Sequence, residues 1–376
     1  MYIPQKQLKN LKKLLSPNKV IVIYGPRRCG KTTLVKNFLN QTKLKSLFVS
    51  GEDITIQSYL GSKSIEKLKS FVGKHKLLVV DEAQKIKEIG LNLKLIVDHI
   101  EGIKVIATGS SAFDLAQNIG EPLTGRKYTL KLFPLSQLEI NKIENKFQTE
   151  ANLESRLIYG SYPEIVIMND NHERERYLKE IISSYLYKDI LELEGLKHSD
   201  KIARLLQLLA FQIGNEVSYN ELGTQLGISK NTVEKYLDLL EKAFVIYKLT
   251  GFNRNLRKEI SKNPRYCFYD NGIRNALVNN FNPLPIRNDV GMLWENYIIT
   301  ERIKKQEYLQ KFSNNYFWRT YGGQEIDFVE EMKGKLYGYE IKWSVKKSKK
   351  PVDWLKGYKD AKYSIINKEN YMSFVA

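Results

Sequence analysis

The sequence predicts an α/β protein in which a parallel sheet covered by helices precedes a helical segment, a winged-helix segment and a second α/β unit. Three observations support this prediction. Short apolar runs alternate with helical stretches over the first 135 residues. A succession of helix, helix, turn, helix and strand follows over 201–249, and strands of alternating polar and apolar residues lie near the carboxyl terminus. The expected domains are 1–140, 141–198, 199–255 and 256–376.

Five apolar runs are expected to form the parallel sheet of the first unit, and helices on both faces would make it a three-layer domain. These runs are Val20–Tyr24, Ser46–Ser50, Leu77–Val80, Val105–Ala107 and Tyr128–Leu132. Residues 141–155 are polar and predict a domain boundary. Helical patterns follow around the turn Gly160-Ser161-Tyr162-Pro163, so we expect a small helical lid there.

Basic residues dominate the charge of the chain. Its 376 residues include 60 Lys and Arg against 42 Asp and Glu, which gives a formal net charge of +18. Nucleic acid is the expected partner of such a surface, although lysines also serve solubility alone. The 2 cysteines are too few for a disulfide framework, and the 4 histidines lack metal-ligand spacing. No apolar run reaches the roughly 18 residues of a membrane span, so we expect a cytoplasmic protein without a membrane partner.

Residues Gly25–Thr32 match the phosphate-binding pattern GxxxxGK[ST], directly after an apolar run and before the helix-like Thr33–Leu39. Backbone N–H groups at the start of that helix are expected to hold the phosphates of ATP. Lys31 would bridge the β and γ phosphates, and Thr32 would ligate Mg²⁺. The expected cofactors are therefore ATP and Mg²⁺. The residues expected to contact the nucleotide are Gly25, Arg28, Cys29, Gly30, Lys31, Thr32 and Thr33.

Two acids end the apolar run at Val80, about fifty residues beyond the phosphate loop. We interpret Asp81 as a ligand of Mg²⁺ and Glu82 as the base that activates the attacking water. Thr108 and Ser110 end the next apolar run, where a hydroxyl either senses the γ-phosphate or caps the following helix. Arg126 is either a solvated arginine or an arginine finger that reaches the nucleotide of a neighbouring subunit.

The helix predicted to begin at Lys230 is the third helix of the winged-helix pattern. In such a fold the first polar residues of this helix face the major groove of DNA. The candidate contacts are Lys230, Asn231, Thr232 and Lys235. The same fold also serves as a protein-binding or lid element, and Ser and Asn at a helix start are also ordinary caps.

Two alternating segments near the carboxyl terminus predict antiparallel strands joined by a turn near Lys333-Gly334. Because side chains alternate along a strand, Glu340 and Lys342 share one face, and a hairpin brings Asp327 beside them. Glu295, on a predicted helix, is a candidate to complete a metal shell. Asp327 followed by Glu340-Ile341-Lys342 resembles the PD-(D/E)XK nuclease core. A solvated ion pair, an inactive inherited fold and a live nuclease all remain open.

A lysine-rich stretch follows this cluster. Residues 333–363 contain far more lysines than acids, and the densest part holds Lys346, Lys347, Lys349 and Lys350. These four lysines are candidate contacts to a nucleic-acid backbone, with Trp354, Tyr358 and Tyr363 available to stack on bases. A solvated linker is the alternative.

Several motifs together carry a family resemblance over essentially the whole chain. They are Gly25–Thr32, Asp81-Glu82-Ala83-Gln84, Thr108-Gly109-Ser110-Ser111, Gly125-Arg126, Phe133-Pro134-Leu135-Ser136, Gly160-Ser161-Tyr162-Pro163-Glu164 and Tyr269-Asp270-Asn271-Gly272-Ile273. The set resembles a prokaryotic group of AAA-type ATPases that carry a C-terminal domain of unknown function. This resemblance implies an ASCE-type P-loop core, a helical lid, a winged helix and a nuclease-like tail. It also implies a homo-oligomer, with a ring or hexamer as the expected form.

These observations lead to one expected function and two alternatives. The expected function is a Mg-ATP-dependent AAA-type ATPase that binds DNA and remodels it or moves along it. The first alternative is a regulatory ATPase switch that acts on a protein partner. The second is an ATP-gated DNA nuclease.

Overall fold

A five-stranded parallel sheet organises the amino-terminal part of the computed structural model, which describes residues 2–110, 123–186, 199–254, 263–320, 322–344 and 351–376. Its strands are β1 (Lys19–Tyr24), β2 (Ser46–Ser50), β3 (Leu77–Asp81), β4 (Lys104–Gly109) and β5 (Lys127–Lys131). The predicted parallel sheet is confirmed, in the order β2-β3-β4-β1-β5. Since β4 separates β1 from β3, the phosphate loop and Asp81 lie on either side of its carboxyl end.

Helices cover both faces of this sheet. They are α1 (Gln7–Leu14), α2 (Lys31–Leu39), α3 (Ile54–Leu60), α4 (Ile65–Val72) and α5 (Ile89–His99), with a 3₁₀ turn at Ala83–Lys85. Alternate residues of β1 serve the two faces. Val20 belongs to a buried cluster with Leu68 and Leu93, whereas Ile21 belongs to a second cluster with Leu11. The expected three-layer arrangement is therefore present.

Helices predominate in the middle of the chain. They are α6 (Gln137–Ile140), α7 (Lys146–Ala151), α8 (Leu153–Tyr159), α9 (Pro163–Ile167), α10 (Asn171–Glu180), α11 (Ser199–Phe211), α12 (Tyr219–Leu226) and α13 (Lys230–Lys242). A π-helical turn, Ile181–Leu186, follows α10. The helices expected for the lid and for the winged-helix segment thus occur where the described residues cover them. Ser218 and Ser229 cap α12 and α13 with their side chains, which fixes both starts.

A six-stranded sheet, in the order β11-β10-β9-β8-β6-β7, organises the carboxyl-terminal part. Its strands are β6 (Ile246–Gly251), β7 (Arg265–Phe268), β8 (Asn314–Arg319), β9 (Glu325–Met332), β10 (Lys335–Ile341) and β11 (Lys362–Ile366). Its helices are α14 (Asn271–Leu277), α15 (Val290–Tyr308), α16 (Val352–Gly357) and α17 (Tyr371–Val375), with a 3₁₀ turn at Leu284–Ile286. The predicted hairpin is confirmed, because β9 and β10 pair antiparallel around Lys333 and Gly334.

The boundary predicted between residues 255 and 256 does not separate two sheets. The strand expected to form a wing, β6, pairs antiparallel with β7 and parallel with β8, so it lies inside the second sheet. Ile246 and Leu249 are fully buried there, which is the physical reason that this strand is not a free wing. Side chains of the helical segment, of α13 and of α15 belong to one hydrophobic cluster.

Helix α15 connects the second sheet to the end of the first domain. The hydroxyl of Tyr308 accepts a hydrogen bond from the Phe133 backbone N–H at 3.1 Å. Glu301, 1% exposed, accepts from the backbone N–H of Gln137 at 2.5 Å and pairs with Lys304 at 2.8 Å. The chain segment 133–137, which leaves the first sheet, is therefore fixed to this helix.

Candidate functional site

The phosphate loop joins β1 to α2 through a tight turn. Gly30, the residue before α2, has φ +95°, a conformation that favours glycine. A Cβ on Gly25 would lie 2.0 Å from the carbonyl oxygen of Leu132, so only glycine fits at that position. The backbone N–H groups at the start of α2 have no partner within the helix, which suits them to bind an anion.

Lys31 lies inside the loop, 5% exposed. Its Nζ donates to the carbonyl oxygens of Gly25 at 2.8 Å and Pro26 at 2.9 Å. The ammonium group is therefore held at the centre of the turn, where bound phosphates would take over these contacts.

Asp81, at the end of β3, accepts hydrogen bonds from a side chain of α2 and from one near the end of β4. The Thr32 hydroxyl donates to Asp81 Oδ2 at 2.8 Å, and the buried Thr108 hydroxyl donates to Asp81 Oδ1. Hydroxyl and carboxylate oxygens are the ligands that Mg²⁺ takes beside substrate phosphates. Thr32 and Asp81 therefore fit a Mg²⁺ ion, which when bound offsets phosphate charge. The Thr108 hydroxyl therefore contacts Asp81, and its role as a γ-phosphate sensor stays a prediction.

Glu82 has a left-handed backbone, with φ +48°, and its N–H donates to the Thr108 hydroxyl at 3.2 Å. A non-glycine residue in this conformation costs on the order of 1 kcal/mol and is typical of functional sites. Gln84 Nε2 donates to Glu82 Oε2 at 2.5 Å and to the Ser110 hydroxyl at 3.3 Å. The amide of Gln84 therefore hydrogen-bonds both to Glu82, the predicted base, and to Ser110, a candidate sensor of the γ-phosphate. The motif Asp81–Gln84 contained this residue, but its role was not predicted.

A cleft of about 590 Å³ lies over the loop. Five of the predicted nucleotide contacts line it, namely Arg28, Gly30, Lys31, Thr32 and Thr33. Gly25 packs below the loop instead, as its contact with Leu132 shows. Cys29 is fully buried, its thiol lies 3.6 Å from the Leu132 carbonyl oxygen, and burial raises the pKa of that thiol. Of Cys29, only the backbone is therefore available to a nucleotide.

Two further chain segments line the cleft and were not predicted. From the amino terminus come Tyr2, Ile3 and Gln5, and from α9 come Pro163, Glu164 and Ile167. Gln5 is 6% exposed, and its Nε2 donates to the carbonyl oxygens of Cys29 and Gly30 at 3.3 Å each. No local pattern at Gln5 signals this contact, whereas Glu164 lay in a motif that carried the family resemblance.

Arg126 lies at the opposite end of the sheet. Its carbonyl oxygen accepts from the Val20 N–H at the beginning of β1, whereas the phosphate loop follows the end of that strand. At ~3.3 Å per strand residue, about 17 Å separates the two ends. The guanidinium pairs with Asp98 at 2.6 Å. Arg126 therefore does not reach the phosphate loop of its own subunit, and its role as a finger toward a neighbouring subunit stays a prediction.

The second predicted cluster is brought together in the second sheet. Asp327 and Glu340 are the next residues of β9 and β10 after the pair Phe328 and Tyr339, so the register of the hairpin, continued by one residue, brings them opposite each other. Lys342 Nζ donates to Glu340 Oε1 at 2.7 Å, and Asp327 Oδ2 accepts from the Ile341 N–H at 2.7 Å. The predicted juxtaposition of these side chains is therefore present.

Burial and mutual repulsion dominate the electrostatics of this cluster. Burial and the charge of Glu340 raise the pKa of Asp327 to about 6. Burial and the charge of Asp327 raise the pKa of Glu295 well above its usual range. Arg265, 4% exposed, lies 3.9 Å from Glu295 Oε1 and 2.6 Å from Glu325 Oε1. A protein cation thus already pairs with two of the carboxylates.

The described residues contain no group of three or more His, Cys, Asp or Glu side chains placed to hold a metal ion. The metal role predicted for Asp327 and Glu340 stays a prediction, because a site of two carboxylates is smaller than a group of this kind. Arg265 Nη1 lies 3.9 Å from Glu295 Oε1, and the metal role of Glu295 also stays a prediction.

The predicted DNA contacts at the start of α13 have separate environments. Lys230, Asn231 and Lys235 are exposed, whereas the Thr232 hydroxyl lies 2.8 Å from that of Ser229 and its N–H donates to the same cap. Thr232 therefore contributes to the cap of the helix. The remaining candidates, Lys346, Lys347, Lys349 and Lys350, lie outside the described residues.

Three family models match consecutive parts of the chain. They are an AAA domain over 17–141, a domain of unknown function (DUF8612) over 150–284 and a domain of unknown function (DUF4143) over 290–373. The first match covers the phosphate loop, Asp81 and Glu82, so this part is similar to AAA domains and carries a P-loop. The second match runs across the boundaries predicted after residues 198 and 255.

Relatives from bacteria and archaea extend over most of the chain. An uncharacterized protein of Mycobacterium tuberculosis is 25% identical over 335 residues, which cover 88% of this chain and 72% of the relative. An uncharacterized protein of Methanocaldococcus jannaschii is 25% identical over 334 residues, covering 84% and 73%. One of Haemophilus influenzae is 25% identical over 364 residues, covering 90% and 86%.

Solved structures show weaker similarity. AMPPCP-bound DnaA from Aquifex aeolicus is 18% identical, with a TM-score of 0.29 over 63% of this chain and 85% of DnaA. A STAND ATPase with a tetratricopeptide repeat sensor from Pyrococcus horikoshii is 14% identical, with a TM-score of 0.28 over 81% and 46%. Similarities of this size carry no inference about function.

Proposed function

We propose that this AAA-type ATPase domain couples Mg-ATP hydrolysis to remodelling of DNA or movement along it. The observation that carries the ATPase part is the convergence of Lys31, Thr32, Asp81 and Glu82 in one cleft. Lys31 would contact the β and γ phosphates, and Thr32 and Asp81 would hold Mg²⁺. Glu82, oriented by Gln84, would accept a proton from the attacking water.

Charge supports DNA as the molecule acted upon. The chain carries a formal net charge of +18, and polyanions are the partners that such an excess attracts most strongly. Lys230 and Lys235 are exposed on the first turns of α13. These positions suit contact with phosphates or base edges, which is the role assigned to the third helix of a winged helix.

One observation favours a regulatory switch as the second candidate. Pro163, Glu164 and Ile167 line the nucleotide cleft although they lie outside the AAA domain. A bound nucleotide would therefore contact the part of the chain that follows that domain, as a switch acting on a protein partner requires. An ATP-gated nuclease is the third candidate, because Asp327, Glu340 and Lys342 lie together in the second sheet.

Assembly and location complete the proposal. A homo-oligomer, as a ring or hexamer, would allow Arg126 of one subunit to approach the nucleotide of its neighbour.

Among the helices of the described residues, none has the length and apolarity needed to cross a membrane. We place the protein in the cytoplasm, where ATP and DNA are both present.

The test measures ATP turnover and DNA affinity of the full chain with single-stranded, duplex and branched DNA. We expect DNA to stimulate turnover, and affinity to fall steeply with salt because bound counterions are released. Lys230→Ala/Lys235→Ala should lower the salt slope by about 2 on duplex DNA. The matched control is Lys69→Ala/Lys74→Ala, which removes two exposed lysines of the AAA domain. Failure of all three DNA forms to bind at low salt would overturn the DNA proposal and leave the switch.

A further inference from the structure

Helix α9 gives the nucleotide cleft an acidic side chain that the AAA domain itself does not supply. Glu164 lines the same cleft as Lys31 and Thr32, and the AAA match ends at residue 141. The side chain of Glu164 is 44% exposed. A carboxylate is an unfavourable neighbour for nucleotide phosphates, since like charges in one cleft repel each other.

The position of Glu164 is fixed from two sides. The Ser161 carbonyl oxygen accepts from the Leu135 N–H at 2.8 Å, which ties the segment to the AAA domain. The Ser161 N–H donates to Asp270 Oδ2 at 2.7 Å, which ties it to the residue before α14. Proline at the first position of α9 also fixes the helix start. Glu164 is therefore held in the cleft by contacts to both parts of the protein.

The partner of Glu164 is Arg28 of the phosphate loop. Arg28 Nη1 lies 3.5 Å from Glu164 Oε1, and both side chains are 44% exposed. Arg28 has φ +64°, an uncommon backbone conformation for a residue with a side chain. Among the described residues Glu164 is an anionic partner of Arg28, and the phosphates of a bound nucleotide would compete with it.

We propose that Glu164 is a positioning residue that holds the Arg28 side chain against α9 until nucleotide phosphates compete for it. This inference rests on nucleotide binding at the phosphate loop. When phosphates bind, Arg28 exchanges a carboxylate for them, and α9 loses its ionic contact with the loop. Nucleotide binding is thereby coupled to the placement of α9, and through Asp270 to the second sheet.

If Arg28 exchanges Glu164 for nucleotide phosphates, the effect of Glu164→Gln on nucleotide Kd should depend on the residue at position 28. Fluorescent ADP and a non-hydrolysable ATP analogue are titrated into the full chain, and Kd is measured for each variant. Glu164→Gln should bind both nucleotides about three- to tenfold more tightly, because Arg28 is no longer shared. Arg28→Gln should bind them more weakly. In the Arg28→Gln background, the further change Glu164→Gln should alter Kd by less than about twofold.

Two controls separate this pairing from the general charge of the cleft. Glu52 also lines the cleft, so Glu52→Gln removes an equal charge that has no ion pair with Arg28 among the described residues. Its effect on Kd should be the same with Arg28 or Gln at position 28. Arg28→Lys keeps the positive charge and should restore the sensitivity of Kd to Glu164→Gln.

Each outcome decides the proposal. A Kd for Glu164→Gln equal to that of the wild type would overturn it, as would an effect that survives in the Arg28→Gln background. A thermal midpoint of the nucleotide-free Glu164→Gln variant several degrees below the wild type would assign Glu164 a role in stability and also count against it. If the wild type binds no nucleotide, the proposed ATPase function fails instead. Failure of DNA binding alone leaves this proposal standing.

Discussion

Replacing Gly160 by alanine should destabilise the connection between the nucleotide cleft and the second sheet. Gly160 ends α8 with φ +75°, and a Cβ there would lie 1.9 Å from Asp270 Oδ1. Asp270 is 5% exposed and accepts hydrogen bonds from the N–H groups of Ser161 at 2.7 Å and Ile273 at 3.2 Å. The added methyl group therefore displaces a buried carboxylate from the donors that satisfy it.

The magnitude has two parts. Gly160 has φ +75° and ψ −158°, a conformation open essentially to glycine, which costs alanine about 1–3 kcal/mol. Loss of hydrogen bonds to the displaced carboxylate of Asp270 adds about 1–3 kcal/mol, because a buried charged group left without partners keeps its desolvation cost. Gly160→Ala should therefore lower the free energy of unfolding by about 2–6 kcal/mol.

Gly102 supplies the matched control for this measurement. It has φ +72°, but a Cβ there would meet nothing within 4 Å. Gly102→Ala should therefore lower the free energy of unfolding by only about 1 kcal/mol in urea denaturation followed by circular dichroism. Equal losses for the two variants would refute the reasoning, because they would show that contact with Asp270 contributes nothing.

Three further predictions concern the two clusters and the subunit interface. Thr108→Val removes a hydrogen bond to Asp81 and should lower kcat for ATP hydrolysis about tenfold. The Kd for ATP should change less than threefold. An unchanged kcat in a turnover assay would contradict this role of Thr108. Arg126→Ala should lower turnover of the assembled oligomer at least about 100-fold if Arg126 acts in a neighbouring subunit. Asp98→Asn, which breaks the same ion pair, should leave turnover unchanged, and equal turnover for both variants would remove the finger role. Burial and a nearby carboxylate raise the pKa of Asp327 to about 6. Asp327 therefore binds a proton more tightly in the folded protein than in the unfolded chain. The free energy of unfolding should fall as the pH rises from about 4 to about 6. Asp327→Asn should flatten that part of the stability profile and raise stability at pH 8, and a profile identical to that of the wild type would contradict the shift.

Local sequence determines the position in the sheet of the phosphate loop and of Asp81, and these positions are as predicted. Gly25–Thr32 and Asp81 lie at the ends of buried strands, and a parallel sheet brings such ends to one edge whatever the rest of the chain does. The proximity of Asp327 and Glu340 was also predictable, because a hairpin sets its own register.

The other walls of the cleft could not be predicted in this way. Gln5 and Glu164 reach the phosphate loop through tertiary packing, with no sequence period that relates them to Lys31. The burial of β6 could not be predicted from local sequence either, because the sequence of β6 is equally compatible with an exposed wing. β6 is buried because it pairs with β8, a strand that lies far along the chain.

The acidic cluster shows that bringing side chains together does not by itself decide their function. Strand alternation places Asp327 and Glu340 together, but the chemistry of two carboxylates depends on the cations around them. Arg265 enters the cluster from β7, and its guanidinium lies 4.3 Å from the ring centroid of Phe317, so the local pattern around Asp327 carries no information about it. A guanidinium beside Glu295 offsets negative charge that a metal ion would otherwise offset. The short nuclease-like motif therefore predicts a place in the fold, whereas Lys31, Thr32, Asp81 and Glu82 lie together at one sheet edge and support the proposed ATPase chemistry.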